Sequence, residues 1–546
     1  MGERWRDACW LIVVGLVSSA SIVASARHMS ATFDEPCHIE RGLYGWRTGS
    51  IKPLMSAGCM PLPVDVQTLP LYIWERFRGT PFDAVADIGE LLPVARMANL
   101  AFWWLLLLYA MRLGRAFGGA WAGRFACGFL ATDPNFLGHA ALATTDIAIT
   151  ATTLMAIFHY HTGAGHSWFW RVGVPGVCYG IAVTAKASAM AFVPLGFVTF
   201  GLFKLYASGA LAMPSGSLFG RVRFYQRATS ALRWDIFWSL AVGCVYVFAY
   251  CGSDWQTERT FVEWAHGLSE GSTKNAMVPV AENLRIFTNA GEGLMQQVKH
   301  NFRGHGSYLH GEWYPRACWY YFPYALTVKL PETTLFLLAV ALLMRTRAFF
   351  GPVGVLTLVL FAFSLNCRVQ IGIRLVFPLV AMLYISSAIA VANARFPRGI
   401  GVLVLLANAV IACSIWPNGL RYANVTHGGP DGCYRYLSDS NADWGQGLKP
   451  LEAWCHANGT ESVAVWYYGT DPDMNKPPFR IRPLHSFAIA TNEQARAYVG
   501  LGYFAVSTTI LKGDPAITPQ AVVSLGWLHT QTPVGRVGTF VIYDVR

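Results

Sequence analysis

Charge is what this 546-residue chain has least of: Asp, Glu, Lys and Arg make up 13% of it, and acids are the scarcer sign, 31 against 42 basic residues. A soluble protein of this length carries roughly twice that fraction, so a free globular protein is excluded. The 12 cysteines include no Cys-x-x-Cys and no paired metal spacing, which argues against a zinc site. No repeat of solenoid period and no low-complexity segment interrupts the chain. What is present instead is apolar: 54% hydrophobic and 14% aromatic residues, with a mean hydropathy of +0.36. The composition predicts an integral membrane protein of several spans, with the bilayer as its first partner. The net charge of +11 does not point to nucleic acid, because the basic residues sit in short loops between apolar runs rather than on one domain.

The first apolar run, 9–26, follows Arg4 and Arg6 and ends in Ala24-Ser25-Ala26. It reads as a retained first span or as a signal peptide cleaved after Ala26, and the downstream topology is the same either way. Further spans are predicted at 95–111, 116–132, 136–159, 172–184, 187–205, 236–251, 321–344, 351–365, 374–392 and 401–416. With the first, that makes about eleven. With the N-terminus inside, the cytoplasmic loops carry Arg112 and Arg115; Arg171; Arg221, Arg223, Arg227 and Arg233; Arg345 and Arg347; and Arg395 and Arg398. This positive-inside pattern puts the loop 27–95, the loop 252–319 and everything after residue 416 on the outer face.

The expected fold class is therefore mainly α: a transmembrane helical bundle over 1–416 with a C-terminal extracytoplasmic α/β domain over 417–546. In the latter, apolar runs shorten to strand length at 463–468, 503–506 and 539–543, with helical stretches at 448–457 and 492–499. Within the first loop, 69–77 reads as an amphipathic piece lying along the interface. Cys37 with Cys59, and Cys433 with Cys455, fall in outer regions where each pair is either a disulfide or two free thiols.

The chemically loaded stretch is Thr32-Phe33-Asp34-Glu35-Pro36-Cys37-His38, just beyond the first span. Two adjacent carboxylates and an imidazole at a bilayer edge must be paired, hydrated or used, and a carboxylate held there is a candidate general base. Asp34 is that candidate; the alternative is that Asp34 and Glu35 cap a short helix at 38–45.

This stretch, with Gly42, Tyr44 and Gly49, belongs to an ordered set: Leu69-Pro70-Leu71; Thr144-Thr145-Asp146; Ala185-Lys186; Trp319-Tyr320-Tyr321-Phe322-Pro323 leading to Lys329; Ile371-Gly372-Ile373-Arg374 with Pro378; and Ser440-Asn441 with Asp443-Trp444-Gly445-Gln446. Together these resemble the C-type membrane glycosyltransferases, nearest the bacterial proteins similar to protein O-mannosyltransferases and the lipid A aminoarabinose transferase, over about residues 5–470. The resemblance implies an enzyme of a bacterial inner membrane that takes a hexosyl or pentosyl group from a polyprenyl-phosphate carrier. It would pass that sugar to a protein, lipid or glycan acceptor on the periplasmic face, with inversion, Asp34 as base and Asp146 facing the same cavity. The chain departs from the pattern at Cys59-Met60-Pro61-Leu62-Pro63, where many relatives carry His-Pro-Pro-Leu, so no role of that His carries over.

Glycosyl transfer also needs relief for the departing phosphate. Arg374, predicted at the outer end of a span, is the first choice because a guanidinium grips phosphate through two N–H groups; Lys329, Arg96 and Lys186 follow. Lys329 and Arg96 are otherwise snorkelling cations, and Lys186 and Asp146 otherwise structural partners of buried charges. Glu35 joins Asp34 and Asp146 in the catalytic set; His38, His305, His310 and Glu312 are acceptor or lid candidates, the last three in the loop 252–319, with ordinary packing as the alternative. A divalent cation held by Asp34, Glu35 and Asp146 is left open. Asp443 and Trp444 are expected to pack or dock rather than react. The competing function is a transporter or flippase for a lipid-linked or anionic solute, but two related halves with paired broken helices are not found.

Overall fold

The computed structural model describes residues 2–546 apart from 213–216, 254, 286–287, 393–397 and 513–517, and not the side chains of 260, 288 and 344–349. Arg395 and the side chains of Arg345 and Arg347 thus lie outside the described residues. The rest is mainly helical, with a mixed sheet near the C-terminus. Among the described residues, five helices are long and apolar enough to cross a membrane: Gly2–His28, Ile88–Ala131, Ala189–Ala207, Ser230–Cys251 and Ile373–Ala392. A sixth is reached if Tyr321–Lys329 and Glu332–Leu343, bent by 113° at Pro331, count as one span.

The expected total of about eleven is not established by these lengths, and the differences have local causes. Expected spans 95–111 and 116–132 are one continuous stretch that reverses at Gly119, φ +78° and ψ −173°. A Cβ on Gly123 would lie 2.6 Å from the Met111 carbonyl oxygen, and one on Gly114 2.7 Å from that of Ala122. Residues that far apart along a straight helix are well separated, so the two limbs fold back on each other as a hairpin that only glycines allow. The expected span 136–159 is divided into Pro134–Ala140 and Asp146–Gly163, and 172–184 becomes the 12-residue helix Val174–Ala185. The π-helical turn Phe169–Gly173 runs directly into it, so the helical run measures about 25 Å at 1.5 Å per residue.

The stretch expected as the first outer loop folds into helices Glu35–Thr48, Lys52–Ser56, Pro61–Arg78 and Ile88–Ala98 around Ile39, Leu43, Leu71 and Leu91. Leu69, Ile73 and Phe77 form an exposed apolar stripe at i, i+4 and i+8 of Pro61–Arg78. The stretch expected as the second outer loop carries helices and a hairpin, β1 (Ser307–Leu309) and β2 (Glu312–Tyr314), closed by His310 and Gly311, both at positive φ.

The C-terminal sheet comprises β3 (Val463–Trp466), β4 (Phe479–Ile481), β5 (Tyr503–Ser507), β6 (Gly535–Val537) and β7 (Phe540–Asp544), in the order β4-β3-β5-β7-β6. β3 is parallel to β4 and β5, and β7 antiparallel to β5 and β6. Alternation along β3 sends Val463 and Val465 to one face, with Leu448, Leu451 and Cys455, and Ala464 and Trp466 to the other, with Ala495, Val499 and Leu528. Cys433 lies in a different core from Cys455, and all twelve cysteines are free thiols.

Candidate active site

Residues 30–33 leave the first helix and run against the segment that opens the C-terminal region. Ser30 N–H donates to the Gln446 carbonyl at 3.2 Å and Phe33 N–H to that of Trp444 at 2.9 Å. Asp471 accepts from Ala31 N–H at 2.6 Å, and Thr470 Oγ1 donates to the Phe33 carbonyl at 2.7 Å. This clasp sets Asp34 at the N-cap of Glu35–Thr48, yet its side chain makes no capping hydrogen bond. Its carboxylate is 39% exposed and lies 3.9 Å from Arg374 Nη1.

Arg374 sits in the 3-10 turn Ile373–Val376, whose chain enters through Gly372 at φ +151°. A Cβ there would collide with the Ser440 hydroxyl, so glycine is what lets that hydroxyl accept from Arg374 Nε, at 2.8 Å. The guanidinium lies 3.8 Å over the Trp444 ring and 3.4 Å from Asp146 Oδ2. Asp146, fully buried, begins the helix Asp146–Gly163, and its other oxygen accepts from Lys186 Nζ at 2.6 Å. Lys186 is reached because the chain turns extended on leaving Val174–Ala185, and 21% of its side chain remains exposed. Asp34, Asp146, Lys186 and Arg374, far apart in sequence, thus form one cluster in which a buried acid holds two cations and an exposed acid faces one of them.

Three further groups close the cluster without having been singled out for it. Trp444 is the floor under Arg374. His139 is buried beside Trp444, at 6.2 Å between rings, with Nδ1 unpartnered among the described residues. Asp439, at φ +55°, accepts from Tyr468 Oη at 2.9 Å. Burial pushes its pKa up, opposed by the Arg374 charge. In the sequence, only its place beside Ser440-Asn441 marks Asp439. Asp443, by contrast, accepts from Thr509 N–H at 3.2 Å, the docking role expected of it.

Other candidates are placed elsewhere. Glu35 is fully buried and occupied on both oxygens: Oε1 accepts from Arg96 Nε at 2.8 Å and Ala143 N–H at 2.7 Å, Oε2 from Arg96 Nη2 at 2.7 Å and Thr32 N–H at 2.8 Å. Burial alone would raise its pKa, but the Arg96 guanidinium holds the carboxyl below the usual range. Arg96 spends its remaining donors on the carbonyls of Ala26, Met29 and Ser30. Lys329 is fully buried, donating to the Leu420 and Asn441 carbonyls at 3.1 and 2.6 Å. His38 lies against the Ala143 carbonyl at 3.3 Å and Cys59 Sγ at 3.6 Å. His305 Nδ1 contacts the Gly306 carbonyl at 2.9 Å, with its ring near enough to bear on Asp439. His310 stacks on Tyr436 and Glu312 accepts from Tyr314 Oη at 2.9 Å.

The acids expected around a divalent cation do not fit one. Glu35 is turned onto Arg96, Asp146 is neutralised by Lys186 and Arg374, and no group of three His, Cys, Asp or Glu suited to a metal occurs among the described residues.

No family model and no curated protein matches the chain. Among solved structures it is similar to ArnT from Cupriavidus metallidurans bound to undecaprenyl phosphate, at 13% identity over 98% of each chain with a TM-score of 0.44. The apo state of that protein aligns at 13% identity over 99% of this chain and 98% of the other, with a TM-score of 0.30. The Archaeoglobus fulgidus oligosaccharyltransferase in complex with Zn and sulfate aligns at 12% identity over 91% of this chain and 68% of the other, with a TM-score of 0.39. With TM-scores below 0.5, these likenesses decide nothing about chemistry, which rests on the residues of this chain.

Proposed function

We propose that the protein is a glycosyltransferase of a bacterial inner membrane that moves a sugar from a polyprenyl-phosphate carrier to an acceptor on the periplasmic face. The observation that carries this reading is the ion cluster: Asp34 is exposed and uncapped, Arg374 lies beside it, and the buried Asp146 holds both Arg374 and Lys186. A base and preset phosphate ligands in one place are the two requirements of this transfer.

In the reaction, the acceptor oxygen or nitrogen attacks the anomeric carbon as Asp34 takes its proton. The bond from that carbon to the phosphate oxygen breaks, and the polyprenyl phosphate leaves with the bonding pair. Arg374 meets the growing negative charge through its planar fork and Lys186 as a point charge. Asp146 fixes both cations rather than touching the substrate, and Trp444 keeps Arg374 from swinging away. Glu35 and Arg96 hold the 26–32 segment, so their part is to aim Asp34. The domain division at about residue 417 belongs to the same reading, the outer region serving to clasp the Asp34 loop.

The test is transfer of radiolabelled sugar from a total polyprenyl-phosphate-sugar extract to membrane acceptors by the purified full chain in liposomes. Label appearing on the acceptor supports the enzyme. Labelled carrier crossing the bilayer without transfer would overturn it in favour of a flippase.

A further inference from the structure

The end of helix Gly2–His28, the turn Gly419–Arg421 and the helix Leu448–Ala457 enclose a cavity of about 400 Å³. None of Asp34, Asp146, Lys186 and Arg374 lines it. Arg27, His28, Arg421 and Lys449 do, and no carboxylate is among the lining residues described.

The cations among them, Arg27, Arg421 and Lys449, are poorly compensated. The Arg27 side chain is exposed, with no hydrogen bond or ion pair among the described residues. Lys449 Nζ donates to the Arg27 backbone carbonyl at 3.1 Å; Glu452, Asp471 and Asp473 bear on it only from outside the cavity. Arg421 is divided between the Gly538 carbonyl at 2.7 Å, Asn418 Oδ1 at 3.1 Å and Asp431 at 3.2 Å. Such a cluster in a concave site favours an anion.

Its level in the molecule identifies the source. Arg27 and His28 end the first membrane-length helix, and the His28 ring meets Trp416 edge-on at 5.1 Å. Trp416, 41% exposed at the end of the apolar helix Gly399–Ile415, donates to the Ser21 carbonyl at 3.3 Å. An exposed Trp at the ends of two apolar helices marks the membrane–water boundary. Met29, Leu420 and Pro450 give the cavity an apolar wall for the carbons next to a headgroup.

We propose that this cavity binds the phosphate of an anionic lipid headgroup from the outer leaflet, at a site separate from the Asp34 cluster.

The test is native mass spectrometry of the full chain in detergent with phosphatidylglycerol, phosphatidylcholine or inorganic phosphate. At roughly 1 kcal/mol per cation near a membrane surface, Arg27 and Lys449 together should make phosphatidylglycerol retained about thirtyfold more tightly than phosphatidylcholine. The double variant Arg27→Gln, Lys449→Gln should lose that preference, and Lys449→Arg should keep it. Should the double variant fail to fold, Arg27→Gln alone removes an exposed side chain and is expected to weaken retention about fivefold. Equal retention of both lipids, or an undiminished preference in Arg27→Gln, would overturn the proposal. Displacement of phosphatidylglycerol by low-millimolar inorganic phosphate would overturn the lipid assignment in favour of free phosphate.

Discussion

Replacing Glu35 with Gln keeps the size of the side chain and removes its charge, leaving Arg96 buried without a counterion. Glu35 accepts from Arg96 twice, from Thr32 and from Ala143, while Arg96 binds three carbonyls of the 26–30 segment. Breaking one side of a buried pair costs about 3–5 kcal/mol, whereas replacing both partners with apolar residues is much milder. At 1.4 kcal/mol per decade, local opening should rise about 10²- to 10⁴-fold. Hydrogen exchange at the Thr32 and Ala143 amides reads that opening directly. Glu35→Gln should lose protection at both, and Glu35→Leu, which also removes the acceptor of both amides, should lose more. The carboxyl's lowered pKa adds a pH arm: the unfolded segment takes up the proton more readily, so the stabilisation is complete above about 4.3 and is lost as pH falls below that value. Unchanged exchange in Glu35→Gln would refute the claim that this pair holds the loop.

Arg374→Lys should slow sugar transfer about 10²-fold, because an ammonium cannot fork onto phosphate, and steady-state rates at saturating donor measure it. Lys186→Gln should slow transfer by about tenfold or more and raise KM for the carrier, since it removes a proposed phosphate ligand and one of the two cations paired with Asp146. Gly123→Val should destabilise the chain by about 1–3 kcal/mol through its clash with the Met111 carbonyl, seen as a lower midpoint of thermal unfolding in detergent.

Local rules made some elements readable in advance. The helix Asn492–Val499 begins in a capping box made by Thr491 and Gln494, and Leu448–Ala457 carries its apolar residues at helical spacing, so both were placed with their observed bounds. Asp34, Asp146, Lys186 and Arg374 stood out because charges beside apolar runs are costly. Which of them pair could not be read, since Glu35 finds Arg96 and Lys186 finds Asp146 only through helix packing. Lys329 shows the same limit: nothing local says that it turns inward to two carbonyls rather than outward to lipid. Trp444, expected to pack or dock, accepts from Phe33 N–H through its carbonyl, yet its ring also carries Arg374, a contact across 70 residues that no motif encodes. The span count is not established by helix length, because Gly119 and Pro331 bend apolar stretches without breaking their composition.

The central claim is that Asp34 removes the acceptor's proton. The most direct measurement compares sugar transfer by the native chain and by Asp34→Asn at equal expression, with carrier binding followed in parallel. The account predicts that transfer disappears in Asp34→Asn while the carrier still binds at Arg374 and Lys186. Equal transfer by both would remove Asp34 from the chemistry and contradict the account.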